Sequence, residues 1–299
     1  MKRLIISGGT SATIAFALLT PSLRGAAAQV VAYEGFNYGG TPNIQAANGG
    51  TGWGGGWNKL SSIPTGAVPA GLAWAGLPAS GGCAVTAAYP SADYTRYSRV
   101  IGAYSAPAGE VWISFLFEPN TGFGVGGGLA FGTWENGMIV GLVPGSGHYG
   151  LSGFTGPSSL SDDAPVLGES VLLLARARLQ DDATVAWSLF VNPPLDGPLP
   201  VQPDAAMAIP GTVLPAALSI YNDGGFLTDE IRVATTWWAA LGQPAPCTGD
   251  LNGDGAVGGA DLGVLLAQWG GPGSADLNGS GTVDGADLGF LLASWGPCP

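Results

Sequence analysis

The sequence predicts a mainly β chain of two unequal domains, a β-sandwich followed by a small all-α domain. Glycine and proline are abundant, at 52 and 23 of 299 residues, and 10 Trp, 8 Tyr and 10 Phe can fill a core. This combination is typical of many short strands joined by turns. The end of the chain differs, because a duplicated motif there is followed each time by apolar residues at helical spacing.

Composition and charge exclude several classes of protein. The chain has 9 basic and 21 acidic residues, a net charge of −12, which argues against a nucleic-acid partner. Three cysteines are too few for a fold held together mainly by disulfides. A hydrophobic content of 46% argues against intrinsic disorder.

The first 28 residues are predicted to be a signal peptide. Lys2 and Arg3 precede an apolar stretch at 4–19, and the alanines at 26–28 fit the small-residue rule for cleavage. A membrane anchor is the alternative, but serine, threonine and glycine interrupt the stretch, which falls short of the ~20 apolar residues of a membrane span. We therefore expect a secreted protein with no transmembrane segment in the mature chain. Cleavage leaves 6 basic and 21 acidic residues, a net charge of −15.

Apolar runs between residues 29 and 241 predict the strands of the β-sandwich. Two packed antiparallel sheets are the natural way to bury such strands. A hairpin is expected where two apolar runs flank the polar turn at 180–183. The complete set of predicted strands is 30–37, 111–118, 127–133, 137–143, 171–179, 184–192, 217–221 and 230–235.

No pattern in the sandwich domain predicts a catalytic centre. Glycosidases need two carboxyl groups flanking the scissile bond, whereas Asp229 and Glu230 are adjacent and would point to opposite faces of a strand. His148, the only histidine, has no nearby cysteine or aspartate with which to build a zinc site or a triad. We therefore assign no catalytic residue.

Aromatic residues in glycine-rich segments are the candidate ligand-binding residues. Flat rings offer apolar area that can stack on sugar faces. Trp53 and Trp57 lie in and beside the glycine-rich stretch 52–56, which predicts a loop. A position in the core is the alternative for each ring, and for any single tryptophan it is the more common outcome. Further candidates are Trp74, Tyr94, Tyr97, Trp237 and Trp238.

The C-terminal region contains two copies of a twelve-residue loop, at 250–261 and 276–287. A calcium loop of this length takes oxygen ligands at positions 1, 3, 5, 7, 9 and 12 and has glycine at position 6. Gly255 and Gly281 occupy position 6. The predicted ligands of the first loop are Asp250, Asn252, Asp254, the Ala256 carbonyl and Asp261, and those of the second are Asp276, Asn278, Ser280, the Thr282 carbonyl, Asp284 and Asp287.

The distribution of charge supports a metal site in each loop. From Cys247 to Pro299 the chain has six acidic residues and no basic one, and all six acids are at predicted ligand positions. Three carboxylates in one short loop repel one another unless a cation is present. We therefore predict two bound calcium ions. Magnesium fits less well, because it retains several waters rather than entering an all-protein site.

Each loop is followed by a predicted helix. Leucine and tryptophan recur at i, i+3, i+4 and i+7, which gives an apolar stripe that we expect to face its counterpart in the other copy. The stripes are Leu262, Leu265, Leu266 and Trp269, then Leu288, Leu291, Leu292 and Trp295. Residues 242–246, which include two prolines, are predicted to be a short linker.

Residues 247–299 resemble a dockerin domain, in which two calcium loops with aspartate at position 12 are each followed by a leucine-rich helix. The resemblance implies docking onto a cohesin-like module or another surface protein. Cys247 and Cys298 bracket the repeat, and the ends of such a pseudo-twofold pair would come close together, so we predict a disulfide between them. Cys83 is then left as a buried small residue.

Residues 29–241 resemble secreted bacterial jelly rolls of the concanavalin A-like lectin and glucanase superfamily, which includes laminin-G-like domains. The resemblance is carried by residues 33–38 (YEGFNY), 49–53 (GGTGW) with Trp57, 190–193 (FVNP) and 228–234 (TDEIRVA). It implies that the first and last strands pair, which would place Tyr33 and Glu34 beside residues 230–232. It also implies a location outside a bacterial cell.

Three functions remain open from the sequence alone. The first is a secreted non-catalytic protein that binds carbohydrate or the cell surface and carries a calcium-dependent docking module. The second is a polysaccharide-degrading enzyme, a glycoside hydrolase or a lyase, delivered by that module. The third is a structural surface protein that binds no sugar.

Overall fold

The structure is a computed structural model that describes residues 29–87, 94–104, 106, 109–133, 137–195, 199–244 and 246–298. The predicted signal peptide at 1–28 lies outside the described residues. Among the residues that are described, no helix is long and apolar enough to cross a membrane.

The described chain is mainly β, as predicted, with three helices. The elements in chain order are β1 (Val30–Glu34), β2 (Asn58–Lys59), β3 (Gly66–Val68), β4 (Cys83–Val85), β5 (Thr95–Val100), β6 (Glu110–Phe131), β7 (Met138–Leu142), β8 (Tyr149–Gly153), β9 (Ser158–Leu160), β10 (Val171–Leu179), β11 (Thr184–Val191), β12 (Ala205–Pro210), β13 (Ala217–Ala234), α1 (Trp237–Ala240), β14 (Ala256–Val257), α2 (Gly259–Ala267), α3 (Gly285–Ala293) and β15 (Gly296–Pro297).

Two long antiparallel strands, β6 and β13, run side by side through both layers of the sandwich. In the first layer, residues 110–117 of β6 pair with β10, which continues to β11 and β12. In the second layer, residues 127–131 of β6 pair with β7, which continues to β8 and β9. On the other side of β13, its first part pairs with β5 and its last part with β4 and β1.

The bend between the layers depends on glycine. The pairing of β6 with β13 shifts register between Asp223 and Phe226. At this point the backbones approach so closely that a Cβ atom on Gly124 would lie 1.9 Å from the carbonyl oxygen of Asp223. Only glycine fits such an approach, and the irregular pairing lets both strands turn from one layer to the other.

The main hydrophobic core lies between the two layers. The rings of Phe131 on β6 and Trp187 on β11 bring the layers together, with centroids 5.1 Å apart. A second buried cluster covers the outer face of the first layer, where α1 and residues Leu72 and Leu77 pack over Trp112 and Leu116. The first half of β6 is therefore buried on both faces, which explains its continuous apolar sequence.

The first and last strands pair as predicted, but several strands begin or end at other residues than predicted. Tyr33 lies opposite Arg232 and Glu34 opposite Ile231, so β1 and β13 pair as expected. The predicted strands 111–118 and 127–133 are one strand, β6, and 217–221 and 230–235 belong to β13. The bulges allow each strand to continue through its irregular segment.

The C-terminal region has its own small core. Val257, Leu265, Ala275, Val283 and Leu291 are buried together. A helix follows each loop, as predicted, but the region is not all-α, because β14 and β15 pair next to the first loop. The disulfide between Cys247 and Cys298 is present with a Cα–Cα distance of 5.6 Å, which confirms the predicted pairing.

Cys83 is expected to be the one free and unreactive thiol of the chain. It is buried at 1% exposure, and burial raises the pKa of its thiol to about 12. The thiolate is the reactive form. We therefore expect an aromatic disulfide reagent at pH 8 to find no thiol in the folded protein, one in guanidinium, and three after reduction. A thiol that reacts in the folded protein would contradict this expectation.

Candidate functional site

The two C-terminal loops share two internal hydrogen bonds to their first aspartate. The Asp250 carboxylate accepts from the backbone N–H groups of Asp254 at 3.1 Å and Gly255 at 2.8 Å. In the second loop, Asp276 accepts from Ser280 at 3.0 Å and Gly281 at 2.7 Å. The first aspartate of each loop therefore sets the tight turn that presents the following oxygen ligands.

The position-12 carboxylates are fully buried at the first turn of α2 and α3. Asp261 accepts from the backbone N–H groups of Gly258 at 2.7 Å and Leu251 at 2.8 Å. Asp287 accepts from Asp284 at 2.8 Å in the same way. These bonds favour the ionised form, and the N–H groups of Gly258 and Asp284 lower the pKa of Asp261 and Asp287, respectively.

The donor set of the loops fits calcium in its chemistry. Every predicted ligand is an oxygen, from a carboxylate, an amide, a hydroxyl or a backbone carbonyl, which is the type of donor that calcium prefers. In the part of the chain that is described, the carboxylates of a loop do not converge to within 4.8 Å as a group of three. The one such group is Cys247, Asp250 and Cys298, and the disulfide removes both sulfurs as ligands. An ion bound in a loop would therefore draw its carboxylates together.

The helices of this region leave large apolar side chains exposed. Leu265 and Leu291 are buried, but Leu266 and Leu292 are 55% and 54% exposed. Trp269 and Trp295 are also about half exposed, at 48% and 51%. The stripes therefore face each other only in part, contrary to the sequence-based expectation. Each helix therefore presents one exposed leucine and one exposed tryptophan, and large exposed apolar side chains are a feature of surfaces that bind other molecules.

Trp57 is a core residue, which corrects its prediction as a sugar-stacking residue. It is 1% exposed, and its Nε1 donates to Glu34 at 3.2 Å. Trp53 is half-buried, and its Nε1 donates to the Tyr33 carbonyl at 2.9 Å. Both rings pack against the guanidinium of Arg99, which lies 4.8 Å from the ring centroid of Trp53 and 5.6 Å from that of Trp57.

These tryptophans enclose a buried ion pair between Glu34 and Arg99. The two residues are 0% and 1% exposed. Glu34 also accepts from the Tyr38 hydroxyl at 2.6 Å and from the backbone N–H of Phe36 at 2.8 Å. Every partner is internal, so this cluster holds β1 to β5 and to the glycine-rich segment rather than presenting a binding surface.

Asp229 and Glu230 do not point to opposite faces, contrary to the expectation for a regular strand. Glu230 has φ +53° and lies in the bulged part of β13. Its carboxylate accepts from Tyr33 at 2.9 Å and from the Ser80 backbone at 2.6 Å, and it pairs with Arg232. Asp229 accepts from the Leu72 backbone at 2.9 Å. Both carboxylates are 0% exposed and thus closed to a substrate.

Asp229 is expected to make the sandwich less stable as the pH rises. Burial raises the pKa of Asp229 from 3.8 to about 8. The folded state thus holds the Asp229 proton more tightly than the unfolded chain. The contribution of Asp229 to the free energy of unfolding therefore falls as the pH rises from about 4 to about 8. Asp229→Asn loses a hydrogen-bond acceptor at every pH but does not titrate.

The measurement is urea unfolding of the wild type and Asp229→Asn at pH 5 and pH 8. We expect the variant to lose less stability than the wild type between these two pH values. The matched control is Asp162→Asn, at an exposed position, which should follow the wild type. Equal losses in all three proteins would contradict the prediction.

A cavity of about 550 Å³ is lined by residues of both layers of the sandwich. It is lined by β5 and β13 of the second layer, by β11 of the first layer and by the segment 211–216 before β13. Phe131 and Trp187, which are 3% and 2% exposed, form part of its inner wall, and Ser98 and Ser219 contribute hydroxyl groups. Its described lining contains one charged residue, Arg96, and no carboxylate or histidine. No local sequence pattern predicts this site, since its residues lie in four distant segments of the chain.

Aromatic residues surround Arg96 on the adjoining face of the second layer. Its guanidinium lies 5.6 Å from the Phe154 ring centroid. Tyr221 lies directly opposite Arg96 across β5 and β13, and its ring contacts both Tyr94 at 5.2 Å and Phe154 at 5.7 Å. The sequence predicts Tyr94 as a candidate ligand-binding residue, but it does not predict Phe154 or Tyr221.

Comparison with known proteins returns fold-level likeness only. No family model matches the chain, and the search of curated proteins found no match. Among solved structures, the chain is similar to domain 4 of the GH43 extracellular arabinanase AbnA from Geobacillus stearothermophilus, with 13% identity, coverage of 69% of this chain and 92% of that one, and a TM-score of 0.39.

Two further solved structures cover a similar share of the chain. For the endo-1,3-β-glucanase from Streptomyces sioyaensis, the identity is 10%, the coverage 70% and 96%, and the TM-score 0.44. For the endo-β-1,4-glucuronan lyase from the fungus Trichoderma reesei, the identity is 10%, the coverage is 71% of this chain and 98% of that one, and the TM-score is 0.36.

Proposed function

We propose that this chain is a secreted, non-catalytic protein that binds polysaccharide through its sandwich domain and attaches to a partner through its calcium-binding C-terminal region. The observation that carries the binding function is the cavity of about 550 Å³, which combines aromatic rings and hydroxyl groups and has no carboxylate in its described lining. Aromatic surface and a few placed polar groups are the usual components of a ligand site.

A polysaccharide-degrading enzyme is the second candidate. Hydrolysis needs two accessible carboxyl groups about 5–9.5 Å apart, whereas Asp229 and Glu230 are fully buried. The observation that favours a lyase is the pairing of Tyr221 with Arg96, a potential base beside a cation. Burial raises the pKa of Tyr221, which keeps the phenol protonated at neutral pH and disfavours it as a base. We therefore propose binding without cleavage, and the product assays described below distinguish it from the enzyme.

The proposed calcium sites use the two repeated loops. Asp250, Asn252, Asp254, the Ala256 carbonyl and Asp261 would hold one ion, and the equivalent residues of the second loop would hold the other. The ion would neutralise the carboxylates and fix each loop against its helix. The partner, a cohesin-like module or another surface protein, would cover the exposed pairs Leu266 with Trp269 and Leu292 with Trp295.

The test of the sandwich function is a glycan array with the mature chain, run beside a reducing-sugar assay and an assay for unsaturated products. We expect binding to at least one polysaccharide and no product in either assay. Product formation would favour the enzyme. No binding in the array and no product in either assay would favour a structural surface protein.

The docking proposal has a separate test. Calcium-dependent attachment of the mature chain to bacterial surface fractions is expected to be lost in Trp269→Ser/Trp295→Ser. The matched control is Leu160→Ser, an exposed apolar residue of the sandwich. Equal attachment of the double variant and the wild type would contradict a role for this surface.

A further inference from the structure

Four asparagines of the chain are followed directly by glycine, a dipeptide that is chemically labile. The backbone nitrogen of the glycine attacks the amide carbon of the asparagine side chain, because a residue without Cβ offers no steric hindrance. A C–N bond forms to give a succinimide, and the side-chain NH2 leaves with the glycine N–H proton as ammonia. Water then opens the ring to aspartate or to isoaspartate, which adds one carbon atom to the main chain. These asparagines are Asn48, Asn136, Asn252 and Asn278, of which Asn136 lies outside the described residues.

Three hydrogen bonds restrain this reaction at Asn252 in the first loop. The Asn252 Oδ1 accepts from the backbone N–H of Asp254 at 2.8 Å, and its Nδ2 donates to the Asp254 carboxylate at 3.0 Å. The attacking nitrogen, that of Gly253, donates its proton to the Asp250 carboxylate at 2.7 Å. The attack requires loss of this proton, and a carboxylate beside the nitrogen disfavours a second negative charge there.

The second loop lacks two of these three restraints, because serine replaces aspartate at its position 5. The Asn278 Oδ1 accepts from the Ser280 backbone N–H at 2.8 Å, as in the first loop. The Ser280 hydroxyl donates to the Thr282 carbonyl at 3.1 Å instead of accepting from the Asn278 side chain. Among the described residues, no hydrogen bond is found for the Asn278 Nδ2 or for the Gly279 N–H. Both residues are exposed, so water reaches the bond that has to be hydrolysed.

The sandwich provides a third asparagine–glycine dipeptide for comparison. The Asn48 Oδ1 accepts from the guanidinium of Arg99 at 2.7 Å, and the N–H of Gly49 donates to the Tyr38 hydroxyl at 3.3 Å. Both reacting groups of this dipeptide are therefore held, as they are at Asn252. Of the three described dipeptides, the one at Asn278 has the fewest restraints.

We infer that Asn278 is a site of spontaneous deamidation, and that its conversion to isoaspartate disables the second calcium site. The second clause rests on the proposed calcium binding, in which Asn278 supplies the ligand at position 3. Isoaspartate lengthens the main chain between Asp276 and Thr282, so it displaces this ligand relative to the others. A twelve-residue loop with ligands at fixed positions does not accommodate such a displacement.

The test of the first clause follows deamidation of the mature chain at pH 7.4 and 37 °C in chelator. After reduction and digestion, fragmentation mass spectrometry locates the gain of one mass unit, and isoaspartyl methylation identifies the isoaspartate. Asn278 is expected to react at least five-fold faster than Asn252 and Asn48.

Reciprocal substitutions at position 5 test the cause. Ser280→Asp should slow the reaction at Asn278 at least three-fold, and Asp254→Ser should accelerate that at Asn252 by a similar factor. The matched control Ser274→Asp adds the same charge at an exposed position outside the loop and should leave the rate at Asn278 unchanged. Equal rates at Asn278 and Asn252, or a wild-type rate in Ser280→Asp, would overturn the first clause.

Calorimetric titration tests the second clause. The isoaspartate form, separated from the intact chain by ion exchange, is expected to bind one calcium ion, and the intact chain two. Two ions bound by the isoaspartate form would overturn this clause. An intact chain that binds no calcium would overturn the proposed calcium sites and this clause with them, whereas the rates measured in chelator decide the first clause alone.

Discussion

Arg99→Met is expected to destabilise the sandwich by about 3–5 kcal/mol, because it leaves the Glu34 carboxylate buried without its cation. Both residues are almost completely buried. Arg99 also donates to the Gly55 carbonyl and to the Asn48 side chain, at 2.8 and 2.7 Å. The substitution therefore removes the charge partner and releases the glycine-rich segment at once.

A matched ion pair on the same domain provides the control. Arg176 and Glu110 are 3.9 Å apart and are 32% and 19% exposed. Arg176→Met should lower stability by less than about 1 kcal/mol, since water replaces the lost partner. The measurement is urea unfolding followed by tryptophan fluorescence, with Glu34→Gln and Glu34→Gln/Arg99→Met completing a double-mutant cycle. Equal effects of Arg99→Met and Arg176→Met would contradict the role assigned to the buried pair.

Calcium is expected to stabilise the C-terminal region and to bind with a stoichiometry of two ions per chain. At a free concentration 100 times the dissociation constant, one site adds about 2.7 kcal/mol to the free energy of unfolding. Asp261→Ala and Asp287→Ala should each remove one ion, because these buried carboxylates join the two ends of their loops.

Calorimetric titration of the mature chain and thermal unfolding with and without chelator measure these effects. Asp181→Ala, in an exposed turn of the sandwich, is the matched control and should still bind two ions. A wild-type chain that binds no calcium, or whose C-terminal transition is unaffected by chelator, would contradict the prediction. The disulfide between Cys247 and Cys298 stays intact in both conditions, so any change reports on the metal.

Local patterns in the sequence predicted the elements that depend on neighbouring residues. The hairpin of β10 and β11 follows directly from two apolar runs around a polar turn, and Leu173 pairs with Val191 as such a hairpin requires. The twelve-residue loops and the helices after them could be predicted in the same way, because the spacing of polar residues and the helical period are properties of short segments.

Contacts between distant segments could not be predicted in the same way. Trp57 looked like a loop residue because glycines precede it, but Glu34 and Arg99 enclose it from positions 23 residues before and 42 after. The β5 sequence TRYSRV has no long apolar run, so the strand carrying both Arg96 and Arg99 was missed. The backbone at Glu230 is irregular through its packing against Tyr33 and Ser80, which a strand pattern does not encode.

The two long strands β6 and β13 have a consequence for how the sandwich opens. Because each strand contributes to both layers, neither layer can detach while the other keeps its hydrogen bonds. The sandwich should therefore behave as one cooperative unit in native-state hydrogen exchange, with amides of β7 and β10 exchanging through the same global opening. In contrast, the C-terminal region has its own small core and should exchange as a second, independent unit.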